Sequence, residues 1–170
     1  MGFRCAKPVC GPRYPKYHAR LVDASTDKEL RAARVAHTLA RAVRDGDVAA
    51  VDAGRILKHE LRRLNTNRSH KIAIRSAGAQ ASIEKYAPER PPRNSSEDAL
   101  HADHVYPFTD SLLTDVTTLE EWVLELRRLA LVVCVTAKEN YALEQVEKRG
   151  KHGPEKYAAA GIEFVTPVSW

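Results

Sequence analysis

The chain has 170 residues, 44% hydrophobic and 29% charged, enough to close a core without disulfides. No apolar run approaches the ~18–20 residues of a membrane-spanning helix, and the basic N-terminus lacks the apolar segment of a secretory signal. The net charge of +5 is unevenly divided: residues 1–93 carry 20 Lys and Arg against 9 Asp and Glu (+11), and residues 94–170 carry 7 against 13 (−6), which points to a polyanionic partner for the first part.

In chain order, residues 1–23 are rich in Pro, Gly and Arg and predict a basic, extended arm. Cys5, Cys10 and His18 in this arm make at most one zinc knuckle; with Cys134 as the only other cysteine, usage suits a reducing cytoplasm. Thr26-Asp-Lys-Glu29 is a capping box opening a helix that Gly46 should end, with Leu30, Val35, Leu39 and Val43 along its apolar stripe. Asp47 is placed to cap a second helix through Val48, Val51, Ile56, Leu57, Leu61 and Leu64, joined to the first by a one- or two-residue turn. Arg55, Lys58, Arg62 and Arg63 decorate this hairpin as a basic exterior suited to nucleic-acid phosphates. Lys71-Ile-Ala-Ile-Arg75 alternates like a short strand, and Ala77–Tyr86 reads as a helix despite Gly78. The turn-rich PERPPRNSS, 88–96, sets a boundary between a basic helical region (24–93) and a C-terminal unit (94–170).

That unit opens on His101-Ala-Asp-His-Val-Tyr-Pro107, a strand with two histidines and an aspartate in four residues. Thr118-Leu-Glu-Glu121 is a second capping box, for a helix over 119–130 carrying Trp122, Val123, Leu126 and Leu129. Leu131–Val135 is short and valine-rich, a buried strand in which Cys134 acts as a small hydrophobe. Thr136-Ala-Lys-Glu139 is a third capping box, for a helix running to about Arg149, with Gly150 as its stop. Pro154 opens a short helix closed by Gly161, and Ile162–Val165 could form a last strand.

The resulting order is strand, insertion, strand, helix. Asp103 offers an anionic oxygen from the first strand and Asn140 a neutral one from the first turn of the helix. Both suit Mg²⁺ (or Mn²⁺), which keeps most of its waters. Glu144, one turn beyond Asn140, shares its face. Neighbouring strand residues point to opposite faces, so His104 is separated from Asp103 and can act as a general base on a water. Asp-His-Val-x-Pro, an apolar strand and Thr-Ala-Lys-Glu-Asn-x-x-Leu together resemble the ββα-metal (HNH, His-Me finger) nucleases over about 99–149. The resemblance implies metal-dependent cleavage of DNA or RNA, with Asp103 and Asn140 as metal ligands and His104 as base.

Two features of that family are missing. No asparagine lies between His104 and Asn140 to orient the imidazole, so Asp110, Asp115 or a backbone carbonyl must serve, and there are no Cys-x-x-Cys pairs. His101, Lys138 and Arg149 flank the site as further candidate phosphate contacts. The expectation is an α+β chain, mostly helical, with a ββα-metal unit in its C-terminal half. Its function would be a DNA endonuclease, with two copies or two visits needed to cut both strands. The alternative is a non-catalytic DNA-binding protein working through the basic helices.

Overall fold

In a computed structural model of the chain, the residues described are 26–64, 69–93, 96–168 and 170. The expected N-terminal arm, with Cys5, Cys10 and His18, lies outside them. Helix α1 spans Asp27–Asp45 and is capped as its sequence specifies: the Thr26 and Glu29 side chains each accept from the other's amide, and Gly46 (φ 83°) closes the other end. Helix α2 (Ala50–Leu64) starts later than Asp47 suggests, because Asp47 and Val48 instead donate their amides to the Ala42 carbonyl in the turn that leaves α1. The connection is therefore longer than the tight turn expected.

The side of α1 that is fully buried is not the Leu30–Val43 stripe but Ala32, Ala33, Ala36 and Ala40, with the larger residues half-buried around it. Small side chains let α1 lie close against α2 and against the later helices α4 (Leu112–Asp115) and α5 (Leu119–Leu129). Leu57, Leu61, Leu113, Trp122 and Leu126 complete this helical core. Helix α4 falls in a stretch that reads as polar. Its Leu112 and Leu113 are buried, and Arg44 donates to the carbonyls of Leu113 and Val116 at 3.2 and 3.1 Å. Glu29 also receives Arg127 of α5 at 2.9 Å, which holds its carboxyl below the usual range.

The second part is built on two antiparallel strands, β1 (Leu100–His104) and β2 (Val132–Thr136), paired Leu100 with Thr136 through His104 with Val132. Helix α6 (Ala137–Glu147) leaves β2 directly through the Thr136–Glu139 capping box, and α7 (Glu155–Ala159) follows. Val133 and Val135 pack with Leu143 and Tyr157 on one face of the sheet; Cys134 and Val132 pack with Ile72 and Ala79 on the other. Burial pushes the Cys134 thiol up to about 11. The expected Lys71–Arg75 strand is instead a 3₁₀ turn (Ser69–Lys71) and a single bridge from Arg75 to Cys134; the last strand reduces to a bridge between Ser76 and Phe164. Helix α3 (Ala77–Tyr86) matches its predicted span and packs on β2. The fold is α+β. No helix among the described residues is long and apolar enough to cross a membrane.

One oxygen ties α3 to α6. Glu139 Oε2 accepts from the Thr136 amide (2.8 Å), the Thr136 hydroxyl (3.1 Å) and Ser76 Oγ (2.6 Å), and Ser76 is the N-cap of α3. This close approach explains Gly78: a Cβ there would meet Glu139 Oε1 at 2.6 Å. Replacing a helical glycine by alanine ordinarily gains about 1 kcal/mol. Here Gly78→Ala should instead lose about 1–3 kcal/mol, because the pinned carboxylate has to give way. Thermal denaturation of the variant checks the sign.

Candidate functional site

The register of β1 divides the two residues of the Asp-His pair. Asp103 lies opposite Val133 and so faces α6 and α7; His104 lies opposite Val132 on the other face. The imidazole of His104 is half-buried, and its Nδ1 lies 2.9 Å from the carbonyl oxygen of Leu129. A carbonyl only accepts, so Nδ1 carries the proton and the neutral ring has its lone pair on Nε2. Leu129 is the last residue of α5, where helix carbonyls have no partner within the helix. Of the three means of orienting His104 that the sequence leaves open, the backbone carbonyl is the one in contact.

Asp103 is held from α7. The Lys156 ammonium, 1% exposed, approaches both oxygens of Asp103 (3.1 and 3.0 Å) and donates to Glu147 Oε1 at 2.6 Å and to the His104 carbonyl at 2.7 Å. The Tyr157 hydroxyl donates to Asp103 Oδ2 at 2.5 Å. Burial first, and then the charge of Asp103, push the Tyr157 phenol well above its usual range, so it remains a donor. Tyr157 in turn stacks on Trp170 (5.5 Å, 5°) and meets Phe164 edge-on. Neither Lys156 nor Tyr157 has a signal in the local sequence. They lie more than fifty residues from Asp103, in a helix of one and a half turns, and only the tertiary fold brings them to it.

Asn140 is half-buried on the first turn of α6 and donates its Nδ2 to Glu144 Oε1 at 3.2 Å, so the amide oxygen is the atom it can offer a cation. Asn140, Glu144 and Glu147 follow one another at i, i+4 and i+7 on one stripe, whose far end meets Lys156 and through it Asp103. The donor set is all oxygen, the chemistry that suits a hard ion. Asp103 accepts two hydrogen bonds, one at each oxygen, of the roughly four its carboxylate can take. Among the described residues no group of three or more His, Cys, Asp or Glu gathers in the manner of a metal cluster. Mg²⁺ requires only one or two protein oxygens.

The basic candidates lie outside this cluster. Arg55, Lys58, Arg62 and Arg63 are exposed along α2, Arg55 beside Asp52 at 3.2 Å and Arg63 beside Glu60 at 3.3 Å. Lys58 sits over the Phe108 ring at 5.7 Å, and a Cβ at the buried Gly54 would meet Asp110 at 3.0 Å, so α2 rests on the loop that follows β1. Lys138 (3.8 Å from Glu97), Arg149 and His101 are exposed. Comparison of the chain with protein-family models, with curated proteins and with solved structures found no match in any of the three.

Removing one partner of a buried ion pair strands the other charge. Lys156→Met should therefore cost about 3–5 kcal/mol. The loss should be smaller in an Asp103→Asn background, where less charge is left unpaired, and a double-mutant cycle in urea measures the difference.

Proposed function

We propose that the protein is a metal-dependent endonuclease that hydrolyses phosphodiester bonds in DNA, with β1, β2 and α6 as a ββα-metal module of the HNH kind. The observation that carries this reading is the His104–Leu129 hydrogen bond. It commits Nδ1–H, so that in the neutral ring the lone pair lies on Nε2, at a strand end. Such a ring takes a proton from an attacking water without first reorienting. The new bond joins that water oxygen to phosphorus, the ester P–O bond breaks, and the water proton passes to Nε2.

Asp103 and Asn140, with Glu144 beside Asn140, would hold a divalent ion, Mg²⁺ or Mn²⁺, whose chemistry is to stabilise charge on the phosphate and leaving oxygen. Lys156 and Tyr157 fix the direction of the Asp103 carboxylate, and Lys156 also fixes the backbone at His104. Arg55, Lys58, Arg62 and Arg63 would take phosphates of the duplex, with His101, Lys138 and Arg149 nearer the module; such contacts are salt-dependent and indifferent to sequence. RNA presents the same phosphodiester. A module with one base cuts one strand per visit, so a double-strand break requires two copies or two visits.

One observation favours a second reading. Asp103 is already neutralised by Lys156 and hydrogen-bonded by Tyr157, as a purely structural aspartate would be. In that case the basic helices bind DNA and no bond is cut.

Incubation with supercoiled plasmid and Mg²⁺ or Mn²⁺ separates the two. Wild type should nick the plasmid, EDTA should stop it, and His104→Ala should be slower by about 10²–10⁴-fold. No cleavage with any divalent ion, or equal cleavage by His104→Ala, overturns the catalytic reading. Retardation of DNA that is indifferent to EDTA and to Asp103→Ala, without cleavage, supports the second.

A further inference from the structure

The PERPPRNSS segment reads as a linker, and nothing above gives it a role. In the fold, Arg90 and Arg93 line a cleft of about 360 Å³ together with His70 of the 3₁₀ turn and His101 of β1. We propose that this cleft is a second phosphate site, which holds a backbone phosphodiester of the nucleic-acid strand presented to His104. The proposal rests on nucleic acid being the ligand, not on the chain being catalytic.

Three features carry it. First, among the described residues two arginines and two histidines line the cleft and no carboxylate does. The carboxylates just before β1 are engaged elsewhere: Asp98 accepts from Lys85 (2.7 Å) and Tyr86 (3.1 Å), and Glu97 lies 3.8 Å from Lys138. Glu89, next in sequence to Arg90, is not among the lining residues.

Second, the arginine segment is stiff. Arg90 and Pro91 each precede a proline, which confines both to extended, polyproline-like backbone. That conformation repeats every three residues, so Arg90 and Arg93 project to the same side. Two guanidinium groups carried on one side of a short stiff segment suit the forked hydrogen bonding of phosphate oxygens. The 3₁₀ turn is also tied down: Arg75 donates to the His70 carbonyl at 3.1 Å, to the Ile72 carbonyl at 2.9 Å and to Gln80 at 3.1 Å.

Third, the cleft opens beside the strand that carries the catalytic pair. His101 precedes His104 by three residues, about 10 Å along β1. His101 shares its face of β1 with Asp103 while His104 faces the other way, so a nucleic-acid strand reaching from the cleft to His104 spans those ~10 Å along the edge of the two-stranded sheet.

The test uses the full-length protein and the double substitution Arg90→Ala/Arg93→Ala. Both residues are exposed, so the melting temperature should be unchanged. Binding to a fluorescent 20-base-pair duplex in EDTA should weaken by about tenfold or more, and the slope of log K against log salt should fall by about 1, for the one phosphate the cleft holds. Imidazole NMR signals of His70 and His101 should move on titration with a thymidine dinucleotide. Unchanged affinity and slope in the double variant overturn the proposal. So does a shift of both imidazoles by inorganic phosphate combined with wild-type duplex binding in the variant, which would mark a free-phosphate site. These readouts do not involve cleavage, so the cleft and the catalytic reading stand or fall separately.

Discussion

The ammonium of Lys156 is the contact on which the strand–strand–helix unit depends. An amine removed from water is tolerated only with its three donors satisfied, and here Asp103, Glu147 and the His104 carbonyl satisfy them. The three acceptors come from the end of β1 and the end of α6. A single buried charge therefore sets the spacing between strand and helix and the direction of the Asp103 carboxylate. The two carboxylates outnumber the one ammonium, so the cluster retains a net negative charge.

The parts of the fold that were legible in the sequence are those governed by local chemistry. Three capping boxes, at Thr26, Thr118 and Thr136, mark three helix starts to the residue, because each is a short-range exchange of hydrogen bonds between residues three apart. Gly46 is equally local. Periodicity is a poorer guide to α1: it points to the larger residues, whereas close helix packing selects the alanines. Leu112 and Leu113 give no such signal, because a single helical turn has no period to detect. The Asp-His pair on β1 and Asn140 on α6 could be placed on their elements from the sequence. What surrounds them could not, since Lys156, Tyr157 and the Leu129 carbonyl are all distant in the chain.

The segment between β1 and β2 is not a passive connection. A two-stranded sheet closed by so long a loop carries a large entropic cost and little stability of its own. Helices α4 and α5 offset it by packing into the N-terminal helical core, with Arg127 bonded to Glu29 and Arg44 to the α4 carbonyls. The boundary that the proline-rich segment suggests in the sequence is crossed in space by these contacts, and also by α3, which lies on β2.

Leu129 is where the two parts meet in one residue. Its side chain is buried among the helices, while its carbonyl holds the His104 ring. The tautomer of the imidazole is thus decided by how a leucine seats in a core formed largely by the other half of the chain. A cavity or an overpacked methyl near α1, far from any phosphate, would be transmitted along the backbone of α5 as a displaced acceptor. In such a molecule, loosening of the basic helical half and release of the His104 ring in the acidic half would be one event viewed from two ends.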